Sequence, residues 1–195
     1  MPLDWTNTSD ANYITVFAKC YTTTGSTGQL WMLQGGPGAS SWPMETLMAN
    51  VFALTQGKFD LCTTDFRGVD RSSLYTCQAT GAQSVGSAGG CNIEPSETKA
   101  CADELDNLAS VLPVNDGRYY TTTQAAQDVN WLVQSKIATQ AEVVLYGGSY
   151  GTLWLARIAE LFPHLASAWI FDSVANPSND LPFDFANFVR VLLLC

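Results

Sequence analysis

The sequence predicts an α/β fold, in which helices cover both faces of a mostly parallel sheet. Short runs typical of strands alternate with segments of helical periodicity through most of the chain. Two of these runs, residues 143–146 and 168–171, are continuously apolar, as expected for strands buried on both faces. Of the 195 residues, 47% are apolar, which is enough for one domain with a substantial core.

The first elements are recognised by composition and by the turns that bound them. Residues 13–20 (YITVFAKC) are rich in β-branched and aromatic residues and precede the turn-like TTTGSTG, so they predict a strand. Residues 30–33 predict the next strand, and GGPG at 35–38 ends it. Apolar residues then recur at mainly helical spacing over 42–56, and residues 59–64 predict a third strand in the sheet interior.

The second half of the chain repeats the alternation. Residues 72–93 predict irregular structure, and residues 94–112 predict a helix with its charges on a solvated face. Threonines at 121–123 can cap a helix that runs to about residue 136. A strand over 143–146, a helix over 152–162 and a strand over 168–171 follow. The sequence NPSN at 176–179 predicts an exit from the sheet, so residues 1–176 are expected to form the core and 177–195 a tail or the start of another unit.

The charge and the cysteine content limit the classes of partner and the compartment that are expected. A net charge of −9 with no basic run argues against nucleic acid or an anionic membrane, and no apolar run approaches the roughly 20 residues of a membrane helix. The N-terminus shows no secretory signal, yet six cysteines favour an oxidising compartment. We expect one disulfide among Cys77, Cys91 and Cys101, and a buried free thiol at Cys62. The cysteine spacing does not fit a zinc site, and neither a metal nor a cofactor is expected.

The sequence GGSYG, from Gly147 to Gly151, fits the nucleophile-elbow pattern G-x-S-x-G, with a predicted strand before it and a predicted helix after it. So tight a turn needs residues without side chains two positions before and after Ser149, and Gly147 and Gly151 meet that need. Ser149 is therefore the predicted nucleophile. Its place at a helix N-terminus favours the negative charge that develops during acyl transfer.

The loop Gly35-Gly36-Pro37-Gly38 follows a predicted strand and is a candidate for the oxyanion-binding loop. An oxyanion hole needs two backbone N–H groups, and the residue after the nucleophile, Tyr150, supplies one. Since proline has no N–H, Gly36 is the best candidate for the other. Alone, GGPG is a common turn; only together with the elbow does it predict this role.

Five segments resemble those of the prolyl aminopeptidase and tripeptidyl aminopeptidase family of serine peptidases. The resemblance is to the secreted tripeptidyl branch more than to the bacterial prolyl branch. The segments are PLDW (2–5), LQGGPG (33–38), DFRGVDRSS (65–73), YYTTTQAAQDV (119–129) and YGGSYGT (146–152). The resemblance implies an α/β-hydrolase fold with a helical cap, a Ser, Asp, His triad, a peptide substrate bound by its N-terminal end, and secretion. It gives Asp65 and Arg67 a bracing role. Where the family often has His, this sequence has Gln34.

The serine needs a base, usually His oriented by a carboxylate. The single histidine, His164, is 15 residues after Ser149 at the end of the predicted helix, about 18 Å away at 1.5 Å per residue, and is expected to be structural. Asp172 follows the next strand, where some lipase-type hydrolases place the triad acid; in the aminopeptidase family an Asp at this position is structural. We therefore expect a fold truncated before its last strands and cap.

Three functions remain open at this point. The chain is part of a longer exopeptidase, an esterase or lipase of the same fold, or a non-catalytic product that keeps the elbow without a base. The residue preference and oligomeric state are not readable from the sequence.

Overall fold

The computed structural model describes residues 1–9, 11–77, 93–136 and 142–175, so the predicted tail at 177–195 lies outside it. Within these ranges the strands are β1 (Ala18–Tyr21), β2 (Gly28–Leu33), β3 (Phe59–Thr64), β4 (Glu142–Gly148) and β5 (Ala168–Asp172). The helices are α1 (Trp42–Leu54), α2 (Thr98–Val111), α3 (Thr122–Lys136) and α4 (Tyr150–Leu161), and two short 3-10 turns, Pro113–Asn115 and Gly117–Tyr119, join α2 to α3.

The strands form one sheet in the order β1-β3-β2-β4-β5. Only β1 runs antiparallel to its neighbour; β3, β2, β4 and β5 are parallel to one another. The predicted α/β fold with a mostly parallel sheet is thus confirmed, and β3 lies in the sheet interior as expected. Because the four strands are parallel, their carboxyl ends meet at one edge of the sheet, and the loops after β2, β3, β4 and β5 gather there.

Alternation of side chains along β2 explains why both faces of the sheet are covered. Trp31 and Leu33 pack into the apolar cluster formed with α3 and α4, whereas Met32 packs against Met44 and Met48 of α1. Successive strand residues point to opposite faces, so a strand with five of its six residues buried must be covered on both sides.

The first strand was predicted over residues 13–20, but β1 begins only at Ala18, so residues 13–17 are not part of it. Their backbone groups find other partners. The N–H groups of Thr15 and Phe17 donate to the hydroxyls of Ser73 and Ser72, 2.9 and 3.1 Å away. The Phe17 carbonyl accepts the N–H of Asp65. Although its composition is typical of a strand, this segment is therefore an extended loop, which hydrogen bonds to Ser72, Ser73 and Asp65 hold beside the end of β3.

The two disulfides of the described residues bear out one expectation and correct another. Cys77 is bonded to Cys101, within the predicted group of three cysteines. Cys62 is buried, as expected, but it is not a free thiol, because it is bonded to Cys20. The antiparallel register sets Cys20 of β1 directly opposite Cys62 of β3, with 4.1 Å between their Cα atoms.

In the described part of the chain, no helix has both the length and the apolarity needed to cross a bilayer. No group of three or more His, Cys, Asp or Glu side chains among those same residues is arranged to hold a metal ion.

Candidate active site

Ser149 occupies the turn between β4 and α4, at the sheet edge where the strand ends meet. Its backbone has φ 53° and ψ −122°, a left-handed conformation that a residue with a Cβ rarely adopts. Such strain persists only where the surroundings impose it, and it is concentrated at functional sites. The structure thus places Ser149 in the sharp turn that the motif predicts.

The glycines on either side of Ser149 are required by close backbone approach. A Cβ built on Gly147 would lie 2.3 Å from the carbonyl oxygen of Gly151. One built on Gly151 would lie 2.5 Å from the carbonyl oxygen of Leu33 in β2. Real Cβ atoms essentially never approach another atom within 3.0 Å, so neither position has room for a side chain. The strand and the helix can therefore meet closely enough to form the turn.

The loop after β2 lies against this turn. A Cβ on Gly35 would be 2.9 Å from the Ser149 Cβ and 3.1 Å from the Tyr150 nitrogen. Gly36 follows, with a φ of 121° that favours glycine. The Tyr150 N–H belongs to the first turn of α4, where N–H groups have no acceptor within the helix. The structure therefore brings the loop of Gly36 next to Ser149 and Tyr150, as an oxyanion hole made from them requires.

The side chain of Tyr150 contacts two neighbours, and the sequence motifs predicted neither contact. Its hydroxyl lies 2.7 Å from the hydroxyl of Thr122, the first residue of α3. The edge of the Phe66 ring approaches it, with 6.4 Å between the ring centroids. Both contacts fix the side chain of Tyr150, whose backbone N–H is one of the two predicted oxyanion donors.

Asp65 braces the loops around the site. It is buried at the end of β3, where its carboxylate accepts the Ser41 N–H (2.7 Å) and the Arg71 Nε–H (2.9 Å). Arg71 also pairs with Glu45 of α1. Burial would raise the pKa of Asp65, but the hydrogen bonds from Arg71 and Ser41 outweigh it and lower the pKa below its ordinary value. The network ties the end of β3 to the start of α1.

Arg67 joins the N-terminal segment to the core. Its buried guanidinium donates through Nε and Nη2 to both carboxylate oxygens of Asp128 on α3, at 2.7 and 2.6 Å. Its Nη1 donates to the carbonyls of Leu3 and Tyr119 at 2.8 Å. The Trp5 indole donates to the same Asp128 carboxylate at 2.7 Å. Three of the five motifs singled out in the sequence thus meet at one buried ion pair.

Asp172 ends β5 close to the elbow, and its contacts hold the turn. Its backbone carbonyl accepts the Ser149 N–H at 2.9 Å. Its carboxylate accepts the hydroxyls of Tyr146 (2.7 Å) and Ser173 (3.0 Å), which lower the pKa of Asp172. Burial, together with this bond to Asp172, raises the pKa of Tyr146 to about 12. These contacts suit a positioning role, and the triad-acid role of Asp172 stays a prediction.

His164 lies beyond the opposite end of α4 from Ser149. The helix ends at Leu161, and the exposed His164 follows in the turn that leads to β5. A helix of 12 residues is about 18 Å long at 1.5 Å per residue, so His164 does not reach Ser149. The histidine borders a different surface depression, next to Asn130 and Gln134 of α3.

A cleft of about 400 Å³ opens beside the elbow and the loop after β2. Its lining includes Tyr150 and Pro37, the residues that follow Ser149 and Gly36. The other lining residues are Gly38, Phe66, Arg67, Gly68, Val69, Asp70, Leu74, Tyr75, Thr76 and Tyr120. Most of the lining residues come from the loop after β3. The sequence did not predict that this loop would border the site. The DFRGVDRSS motif was the available signal, but the cleft is also lined by Tyr120, from a distant part of the chain, whose ring stacks on that of Tyr75.

The comparisons agree with this geometry. The model of the alpha/beta hydrolase fold family matches residues 30–193. No curated protein matches the chain. An epoxide hydrolase from Vigna radiata is similar in structure (TM-score 0.52, 14% identity), with 90% of this chain and 43% of that chain covered.

Two further solved structures are similar. Est1E from Butyrivibrio proteoclasticus, with ferulic acid bound, has a TM-score of 0.50 at 12% identity and coverage of 82% and 49%. A proline iminopeptidase from Mycobacterium smegmatis has a TM-score of 0.47 at 14% identity and coverage of 80% and 39%. The chain spans less than half the length of each of the three structures. The epoxide hydrolase and Est1E, with TM-scores of 0.52 and 0.50, share the fold at low identity, which leaves the reaction open.

Proposed function

This chain belongs to the α/β-hydrolase fold family, and we propose that it is a serine hydrolase in which Ser149 forms an acyl-enzyme. The conformation of Ser149 carries the proposal: a strained serine on the strand-to-helix turn, beside a glycine loop that faces the start of α4. We propose further that the substrate is a peptide cleaved near its N-terminal end. The motifs at 33–38, 65–73 and 146–152, which resemble those of the prolyl and tripeptidyl aminopeptidases, support this substrate class.

In the proposed reaction, the Ser149 Oγ attacks the scissile carbonyl carbon, and the carbonyl oxygen takes the negative charge of the tetrahedral intermediate. The N–H groups of Gly36 and Tyr150 would donate to that oxygen. The bond from carbon to the leaving amine then breaks, and a general base passes the serine proton to that amine. Attack by water on the ester releases the product and restores the serine.

The described residues do not supply a histidine that could act as the general base for Ser149. Since His164 lies at the far end of α4, we propose that the base of the active protein is another group. The 195-residue chain alone would then react slowly, because the elbow and the oxyanion donors give only part of the rate acceleration of a triad.

We also propose an oxidising, extracellular location, as the two disulfides of the described residues support. For partners, the prediction remains a peptide substrate, with neither nucleic acid nor a membrane as a partner.

Labelling with a fluorophosphonate tests the nucleophile. The chain is incubated with the reagent, and the adduct is located by peptide mass spectrometry. We expect a slowly formed adduct on Ser149, absent in Ser149→Ala and retained in Ser110→Ala, which changes an exposed serine of α2. No adduct, or one formed equally in Ser149→Ala, would contradict the proposal.

A matched amide and ester of one acyl group test the substrate class in a form of the protein that turns over. Hydrolysis of the amide with a free α-amine, lost on N-acetylation, is the expected result for an aminopeptidase. Cleavage of the ester alone would favour the esterase reading, since the same elbow and loop serve esters.

A further inference from the structure

A motif near the start of the chain has no part in the site described above. Asn7, Thr8 and Ser9 form the triplet N-x-S/T, the acceptor pattern for an N-linked oligosaccharide. No other asparagine of the sequence is followed two positions later by serine or threonine without a proline between them, since Asn176 precedes a proline. Such triplets also arise by chance, so the surroundings of Asn7 decide whether it is suited to carry a sugar.

The triplet lies on the surface. Residues 6–9 are all exposed, whereas Leu3, just before them, is 1% exposed. The N–H of Leu3 donates to the carbonyl of Asn12, and the N–H of Ile14 donates to the carbonyl of Met1, each at 2.9 Å. The segments on the two sides of the triplet are thus bonded to each other, as at the base of a surface loop. Such a loop keeps a bulky, hydrophilic sugar in solvent.

The asparagine and the hydroxyl residue of the triplet contact each other. The Ser9 Oγ donates to the Oδ1 of Asn7 at 2.7 Å. Both residues are exposed, so the two side chains that the motif requires meet at the surface and not in the core. A sugar attached to the Asn7 Nδ2 leaves Oδ1 as an acceptor, because the linkage is still an amide. The folded chain therefore accommodates the sugar without losing this contact.

The chain just before the triplet is fixed to α3. The Asp4 carboxylate accepts the Thr6 N–H at 2.8 Å and the side-chain amide of Gln124 at 2.9 Å. The Asp4 carbonyl accepts the Asn7 N–H at 3.3 Å. These bonds hold Asn7 at a defined place on the surface.

The triplet also stands apart from the cleft beside Ser149. Thr8 borders a second surface depression, together with Tyr13 and Trp131. This depression and the cleft have no lining residue in common. A sugar on Asn7 is therefore compatible with a working active site.

We propose that Asn7 is a site of N-linked glycosylation. In the transfer, the Asn7 Nδ2 attacks the anomeric carbon of the N-acetylglucosamine that links an oligosaccharide to a polyisoprenyl diphosphate. The nitrogen–carbon bond forms, the bond from that carbon to the diphosphate oxygen breaks, and the diphosphate leaves with the electron pair. The nitrogen loses one proton to a base of the transferase. The inference shares with the proposed function only the extracellular location, and it needs no reaction at Ser149.

Expression of the full chain behind a cleavable secretion leader in a eukaryotic cell tests the site. The chain is recovered from the medium and from the cell membranes, so that molecules that are translocated but not released are also measured. A peptide N-glycosidase in heavy-oxygen water then removes an N-linked sugar and leaves a heavy-oxygen label on the side chain that carried it. We expect the intact mass to fall by one oligosaccharide and the label to lie at position 7.

Three variants examine the motif. Ser9→Ala removes the required hydroxyl and keeps the asparagine, so it should lose the sugar. Ser9→Thr restores the hydroxyl and should keep the sugar. Asn107→Gln is the control, because Asn107 is an exposed residue of α2 outside any N-x-S/T triplet, and it should keep the sugar as well.

The outcomes separate this proposal from the proposed function. A translocated chain without a label at position 7 overturns the glycosylation site and leaves the assignment of Ser149 intact. A sugar that survives in Ser9→Ala, or that the glycosidase does not remove, refutes attachment through the triplet. A label at position 7 in a chain whose Ser149 does not react with a fluorophosphonate supports the glycosylation site and overturns the nucleophile.

Discussion

A single methyl group at Gly147 should damage the site, whereas one at the next residue should not. The Cβ of Gly147→Ala would lie 2.3 Å from the Gly151 oxygen and 2.7 Å from its carbonyl carbon, both backbone atoms. To restore a separation of 3.0 Å, the first turn of α4 must move away from β4 by about 0.7 Å. In Gly148→Ala the nearest atom is the Tyr146 hydroxyl at 3.4 Å, an ordinary contact.

The expected cost follows from that displacement. Overpacking of this kind costs about 1–3 kcal/mol of stability. A misplacement approaching 1 Å of Ser149 and the Tyr150 N–H should slow phosphonylation by about 100-fold. Gly→Ala also restricts the unfolded chain, but that effect is common to both variants, so their difference isolates the contact.

Urea unfolding followed by tryptophan fluorescence and the second-order rate of fluorophosphonate labelling measure the two effects. We expect Gly147→Ala to unfold at lower urea than Gly148→Ala and to label more slowly. If the two variants have the same midpoint and the same rate, the close approach of Gly147 to Gly151 is not what shapes the turn, and the steric reasoning fails.

Three further predictions concern the surroundings of the site. His164→Gln should label at the wild-type rate, and added imidazole should accelerate labelling of Ser149 in both proteins, because an external base replaces a missing one; a slower His164→Gln would refute this. Since the pKa of Asp65 is lowered in the folded state, its contribution to stability is present above the ordinary value of 3.8 and is lost as the pH falls through the folded-state pKa. Asp65→Asn should therefore be less stable than the wild type in thermal unfolding at neutral pH, by a margin that narrows below about pH 4; a constant margin would contradict the assignment. Asp128→Asn, which leaves the Arg67 charge buried without its partner, should cost about 3–5 kcal/mol in urea unfolding; a cost below about 1 kcal/mol would show that the pair is not the anchor of the N-terminal segment.

The parts of the fold that the sequence predicted are those set by local chemistry. Four parallel strands and four helices follow from periodicity and turn residues, and the helix after Ser149 begins two residues before the predicted start. The elbow was readable because its constraint is steric and confined to five residues. The error at residues 13–17 has the opposite origin: side-chain acceptors from Ser72 and Ser73, about 55 residues away, replace the strand partner that the composition suggests.

Pairings between distant residues were beyond local patterns. The burial of Cys62 was predicted, but its partner depends on the register of β1 against β3. The cleft likewise combines Tyr75 with Tyr120, which lies after a helix and two turns. Asp70 sits inside a motif that the sequence displays openly, yet its place at a cleft beside Ser149 follows only from packing.

The elbow itself depends on such a distant partner. Ser149 at φ 53° is held in an unfavourable conformation, and a five-residue motif offers little to offset that cost. The bond from its N–H to the Asp172 carbonyl, 2.9 Å long, exists because β5 pairs with β4 in the register that sets Gly148 against Asp172. The Tyr146 hydroxyl then binds the Asp172 carboxylate across the same pair of strands. A shift of β5 by one residue would remove both contacts, so the geometry of the nucleophile is set by a strand that begins 19 residues after it.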